Sequence, residues 1–189
     1  MDIKIIKLTK GMGKDFTDYF ENLDFAHEPH YAGCFCRFYY DDIGIEEWQK
    51  RTGEHNKKEA IDEIDKGNMT GFLAYDEDKC IGWLNDDSSK SYKRLHEYID
   101  EYVKGKNVAV AICYVIHPKY RSMGVAKAML KNAINYFKDE GYDAMMALPM
   151  NANEFSQKMY RGTVSMYEKA GFEKKGEFEY GQVYMLDLK

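Results

Sequence analysis

Proline is scarce in this chain, with three residues in 189. No Pro/Gly/Ser-rich linker divides the sequence and no repeat is visible, so a single domain over 1–189 is expected. The four cysteines, Cys34, Cys36, Cys80 and Cys113, show no regular spacing. That argues against a disulfide framework and for reduced thiols in a cytoplasmic protein. No apolar run approaches the ~20 residues that span a bilayer. The opening stretch MDIKIIKLTKGMGKDF is too polar to read as a signal peptide. Basic residues are not in excess: 27 Lys and Arg stand against 32 Asp and Glu, for a net charge of −5. Neither a nucleic-acid footprint nor a membrane partner is expected.

What is present is a folding composition, 44% apolar and 31% charged, with 16 Tyr and 10 Phe. Ile3 to Leu8 alternates like a strand, and Lys14 to Leu23 places Phe16, Tyr19, Phe20 and Leu23 on one helical face. Asn56 to Lys66 reads as a polar helix. Thr70–Tyr75 and Lys79–Leu84 form a hairpin around a DED turn. Ser91 to Val103 has helical spacing, and Tyr142 to Leu148 is a further strand. Thr163 to Ala170 is a short helix, followed by strands near Phe172–Glu177 and Gln182–Leu188. Strands and helices mix, around a central strand–helix–strand unit.

That unit starts at Val108. Val108, Val110, Ile112, Val115 and Ile116 make a nearly uninterrupted β-branched run, as in a strand buried on both faces. Pro118 ends it, and the loop Arg121–Ala126 leads straight into an amphipathic segment carrying Val125, Met129, Ala133 and Phe137. A strand that feeds a helix N-terminus through a glycine loop can cradle phosphate, because unpaired N–H groups and the helix dipole both point into the loop. An ordinary strand–turn–helix would read the same way. No G-K-[ST] follows Gly124, so the loop is not a Walker loop. The three spaced glycines of a dinucleotide fingerprint are also missing.

The segment His27-x-x-His30-x-x-x-Cys34-x-Cys36 has zinc-type ligands, but its spacing matches no common zinc module. No metal is expected there, and aromatic core packing accounts for the segment equally well. Asn151–Gly162 is longer than a usual connection, as loops that act as lids or line pockets often are.

Two motifs carry a family resemblance. Arg121-Ser122-Met123-Gly124-Val125-Ala126 follows His117-Pro118, and Tyr167-Glu168-Lys169-Ala170-Gly171-Phe172 stands downstream, with a strand between them. In this order they resemble the Q/R-x-x-G-x-G/A loop and the Tyr…Gly-Phe ending of the GNAT N-acetyltransferases. The match is good over roughly 69–189 and only in outline before that. The resemblance implies an α/β (mixed α+β) fold: a mostly antiparallel, splayed sheet flanked by helices. It also implies acetyl-CoA as acyl donor. The backbone of Val115 and Ile116 would pair with the pantetheine and acetyl group. The loop N–H groups of Arg121, Ser122, Met123, Gly124, Val125 and Ala126 would bind the pyrophosphate. Arg121 would touch phosphate directly or simply face solvent. The acceptor side would be lined by His30, Tyr31, Cys34 and Phe35, and a homodimer would be in keeping with relatives.

The activity so implied moves an acetyl group to a primary amine of a small molecule or peptide. A lysine-like amine has a pKa of ~10.4, so neutralising it near pH 7 costs roughly 4–5 kcal/mol. A base therefore helps, and an acid must protonate the leaving thiolate. Tyr167 is the acid that the resemblance implies. Relatives often carry a glutamate on the strand at 108–116 or on the next one, and this chain has none on either. Glu154, Asp86 or Asp87 could act through water, and each also reads as a solvated surface carboxylate. Cys113 could carry an acyl group, but β-branched neighbours favour a buried, inert thiol. A non-catalytic acyl-CoA-binding sensor is the alternative to an enzyme.

Overall fold

The computed structural model describes residues 2–25, 29–150, 160–179 and 181–189. In chain order the strands are β1 (Ile3–Lys7), β2 (Gly71–Asp76), β3 (Lys79–Ser88), β4 (Val108–Ile116), β5 (Ala144–Ala147), β6 (Glu173–Phe178) and β7 (Gly181–Asp187). The helices are α1 (Gly13–Glu21), α2 (Pro29–Ala32), α3 (Ile45–Trp48), α4 (Gly53–Lys66), α5 (His96–Val103), α6 (Val125–Asp139) and α7 (Val164–Lys169). All seven strands lie in one sheet, ordered β1-β2-β3-β4-β5-β7-β6. β4 and β5 run parallel, and the other neighbouring pairs are antiparallel. This is the mixed, mostly antiparallel sheet expected. Among the described residues, no helix is long and apolar enough to cross a membrane.

The alternation along β4 divides the core in two. Val108, Val110 and Ile112 face the layer built by α1, α4 and the 35–40 segment. Ala109, Ala111 and Tyr114 face α6 and α7. Helix α6 buries Val125, Met129, Leu130, Ala133 and Phe137 there, the stripe its spacing predicts. Each large side chain so buried contributes about 1.5–3 kcal/mol. Ala109 and Ala111 present only small side chains to the α6 side of β4.

One irregularity organises the centre. Along β3 and β4, Asn85 pairs with Cys113 but Asp86 pairs with Ala111, so Ile112 is an extra residue on β4. Such a bulge bends its strand and increases the local twist. The β4–β5 ladder runs from Val108↔Ala144 to Ala111↔Ala147 and ends at this bulge. Beyond it the two parallel strands part.

Three expectations need correction. β3 does not stop at Leu84 but continues through Asn85, Asp86 and Asp87 to Ser88, held by β4 alongside. β5 is shorter than Tyr142–Leu148, because β4 turns away from it after Ala111. The stretch from Ser91 is helical only from His96. Two tight turns precede it while the Tyr92 hydroxyl donates to Asn85 Oδ1 at 2.8 Å, beneath the layer.

Candidate functional site

The loop after β4 is held open by its own backbone. Ser122 and Gly124 both have positive φ, at 61° and 89°. Gly124 is the N-cap of α6 and supplies no side chain to it, nor does any acidic residue lie in the first turn. The first N–H groups of a 15-residue helix are thus left without a capping side chain and point into the loop. Left-handed residues alternating with right-handed ones are the backbone pattern from which anion-binding concavities are built. Met123 is exposed and Val125 is buried against the α6-side core. Arg121 donates from Nε to the carbonyl of Ile116 at 3.1 Å, which ties the loop back to β4.

Where β4 leaves β5, its backbone is exposed to the gap in alternation. His117 N–H donates to Ile81 O at 2.9 Å, and the register pairs Val115 with Trp83. Bonded pairs alternate along an antiparallel ladder, so Val115 turns its main chain toward β3, while Tyr114 and Ile116 turn theirs toward the gap. Val115 O also accepts from the Tyr19 hydroxyl at 2.8 Å. The Tyr114 N–H donates across the gap to Tyr160 O at 2.6 Å. The next residue closes the same place: Arg161 O accepts from the Tyr167 hydroxyl at 2.6 Å.

Tyr167 is fully buried on α7. Burial, first, pushes its phenol well above the ordinary value, so it stays protonated across the neutral range. The ring packs on Phe172 at 5.3 Å, which explains why a Gly-Phe follows: it returns the chain under the helix. Gly162, at φ 79°, lies so close that an added Cβ would stand 2.8 Å from the Tyr167 hydroxyl.

The two carboxylates read as possible surface groups are not on the surface. Asp86 is 0% exposed and Asp87 9% exposed. The reason is the continued strand: Asp86 sits in a cross-sheet row with Ala111, Ala147 and Tyr184. Ala111, Ala147 and Tyr184 belong to the layer that holds Tyr167. Both Asp86 oxygens lack a hydrogen-bond partner, and so does the buried Tyr114 hydroxyl on the same face. Burial drives the Asp86 carboxyl well above the usual range, and the Lys7 ammonium partly opposes this. Lys7 itself lies over the rings of Phe72, Tyr136 and Phe137, at 4.6, 4.7 and 5.2 Å. Asp87 is better satisfied, accepting from Ser88 N–H at 2.6 Å and from the Tyr40 hydroxyl at 3.4 Å. Unpaired buried polar atoms are rare in folded proteins and mark places where water or a ligand belongs.

On the opposite face lies the aromatic segment. Phe35 is buried against Phe20, with ring centroids 5.7 Å apart, so it is core rather than cleft. Cys36 accepts from Trp83 Nε1 at 3.2 Å. Burial pushes the Cys34 thiol up to about 12, which keeps it protonated and a poor nucleophile. Tyr31 meets Tyr160 edge-on at 5.5 Å. Cys113 is half-buried rather than enclosed, because β4 loses its β5 neighbour at the bulge. His27, the His30 side chain and Glu154 lie outside the described residues. Among the described residues, no three potential ligands gather to hold a metal ion.

Sequence reasoning missed Tyr114, Tyr160 and Arg161, and misread Asp86. The run Asn85-Asp86-Asp87-Ser88 has no apolar alternation, so nothing in the sequence signals a buried strand end. Arg161 stands in a loop whose path only the fold supplies.

Comparison with known proteins agrees with this fold. The model of the acetyltransferase (GNAT) family matches residues 37–172. No curated protein matches the chain. Among solved structures, the PaiA N-acetyltransferase of Thermoplasma acidophilum, in complex with coenzyme A, superposes with a TM-score of 0.61 at 19% identity, covering 99% of each chain. An N-acetyltransferase from Staphylococcus aureus Mu50 gives 0.58 at 15% identity, over 100% of each chain. The NatC complex bound to Gag peptide and CoA gives 0.51 at 15%, again over 100% of each. At these identities the likeness is one of fold, whereas the family match spans well over half of the 189 residues, and on that ground the chain belongs to the GNAT acetyltransferase family.

Proposed function

We propose that this chain transfers the acetyl group of acetyl-CoA to a primary amine by direct attack. The observation that carries the reading is the parting of β4 and β5 at the Ile112 bulge, opening beside the uncapped N-terminus of α6. The pyrophosphate sits on the N–H groups of Arg121 to Ala126. The pantetheine arm lies in the gap, where the main chain of Tyr114 and Ile116 faces it. Val115, bonded toward β3, holds the strand in place. The acyl carbonyl takes the Tyr114 N–H in place of Tyr160 O. Tyr31 and Tyr160 border the acceptor side, and a bound donor requires no metal.

In the reaction the amine nitrogen forms a bond to the acyl carbon, the C–S bond breaks, and one proton leaves the amine while one reaches the sulfur. Tyr167 gives the proton to the thiolate. Asp86, in the cross-sheet row with Ala111 and Ala147, takes the amine proton through water. A purely binding protein would gain nothing from a buried carboxylate with both oxygens unpaired, so Asp86 favours the enzyme over the acyl-CoA sensor. A panel of small amines and short peptides, screened for free CoA release, tests the reading. Turnover of none of them, with acetyl-CoA bound, would return the sensor.

Two substitutions test parts of this. Gly124→Val has room, since no atom lies within 4 Å of an added Cβ, but a positive φ strains any L side chain. The cost of about 1–2 kcal/mol translates into roughly 5–30-fold weaker CoA binding by equilibrium dialysis; unchanged affinity would remove the loop from the site. Gly162→Ala pushes a methyl into the Tyr167 hydroxyl and should lower kcat at least tenfold, with CoA binding retained. Equal kcat in that variant would show that the hydroxyl position is immaterial.

A further inference from the structure

Arg161 is a buried cation. It is 8% exposed, and among the described residues it makes no ion pair. Its Nη2 donates to the Tyr39 hydroxyl at 2.8 Å, while Nε and Nη1 have no partner. The guanidinium lies over the rings of Tyr39, Tyr160 and Phe178, at 5.4, 5.9 and 5.8 Å. The Tyr39 and Tyr160 hydroxyls bond each other at 3.0 Å. A desolvated charge is expensive unless paired, and orphaned N–H donors on a guanidinium fit carboxylate better than any neutral group.

Its position says which carboxylate. The main chain of Arg161 accepts from Tyr167, and the preceding carbonyl accepts from the gap-facing N–H of Tyr114. The guanidinium is thus one side chain away from the reacting carbonyl. It lies within the aromatic layer on the far side of the sheet from α6, because Tyr39, Tyr160 and Phe178 all pack in that layer. The pyrophosphate of the donor is assigned to Arg121–Ala126, at the N-terminus of α6, which packs on the opposite face of the sheet from that layer. The anion it awaits therefore arrives with the acceptor. Resting on the acetyltransferase reading above, we propose that the acceptor is a small amine that also bears a carboxylate, as an amino acid does, and that Arg161 binds that carboxylate. The rings of Tyr39, Tyr160 and Phe178 shield the pair from water, and the amine is left pointing into the gap.

The test compares free amino acids with their carboxamides, as substrates for CoA release and, as N-acetylated products, for raising the melting temperature of the CoA-loaded chain. The wild type is expected to favour the carboxylate series, with KM lower by at least about thirtyfold. Arg161→Gln should erase that preference by raising KM for the acids alone, with acetyl-CoA affinity unchanged by equilibrium dialysis. Arg161→Lys should restore part of it. Equal use of acids and amides by the wild type overturns the proposal, as does an equal fall for both series in Arg161→Gln. If CoA binds but no acid is acetylated and no product acid shifts the melt, the carboxylate site is refuted while the donor site stands. Loss of CoA binding by the wild type would instead overturn the acetyltransferase reading itself.

Discussion

Tyr167→Phe is expected to lower kcat by about 10²–10⁴-fold while acetyl-CoA still binds. The phenol is fully buried and burial holds its proton on, so at neutral pH it is a donor and never a base. It donates to Arg161 O, beside the amide of Tyr114 that faces the gap. In the proposed reaction the same O–H gives its proton to the sulfur. Phenylalanine keeps the ring, its contact with Phe172 and the shape of α7, and removes only the proton. The loss has a structural side: a buried carbonyl left without its donor costs about 1–3 kcal/mol. Melting curves on the variant must therefore accompany the kinetics, and a folded variant with wild-type kcat would remove Tyr167 from the proton path.

Asp86→Asn should reduce kcat by a similar factor and, unlike the first variant, stabilise the protein at neutral pH. The sign follows from linkage. Burial raises the folded-state pKa of Asp86 above the ordinary carboxylate value of about 3.9. Below that value both states hold the proton and there is no penalty. As pH rises through it toward the folded value, the unfolded chain ionises first and the native state loses relative stability. The wild type and Asp86→Asn should therefore melt alike near pH 3.5, and the variant should melt higher at pH 8. Lys7 offsets part of this difference, because its charge favours the ionised carboxylate. In kinetics, a base must be ionised to act, so kcat/KM should rise with pH through a pKa above the usual carboxylate range, and the variant should lose that limb. A variant that melts lower than wild type at pH 8 and keeps its pH profile would make Asp86 structural.

The frame of the fold was legible because its signals are local. The α6 stripe, the β-branched run of β4 and the glycine at 124 each state their role within a few residues. The open loop at 121–126 follows from them, since a glycine between a buried strand and an amphipathic helix leaves few other geometries. The acceptor side was not legible, because it is made by contacts far apart in sequence. Tyr39 meets Arg161 across 122 positions, and Asp86 joins Ala111 and Ala147 in one row from three separate strands. The misreading of Asp86 has a definite cause: a strand end that buries a carboxylate breaks the apolar alternation by which a buried strand is recognised. The Ile112 bulge is equally silent, since nothing in VAVAICYVI marks which residue lacks a partner.

The central claim is that the gap between β4 and β5 holds an acyl-CoA. Equilibrium dialysis of acetyl-CoA against the purified chain tests it most directly. The account predicts one acetyl-CoA per chain, displaced by free CoA and weakened in Gly124→Val. A chain that binds neither acetyl-CoA nor CoA would contradict it.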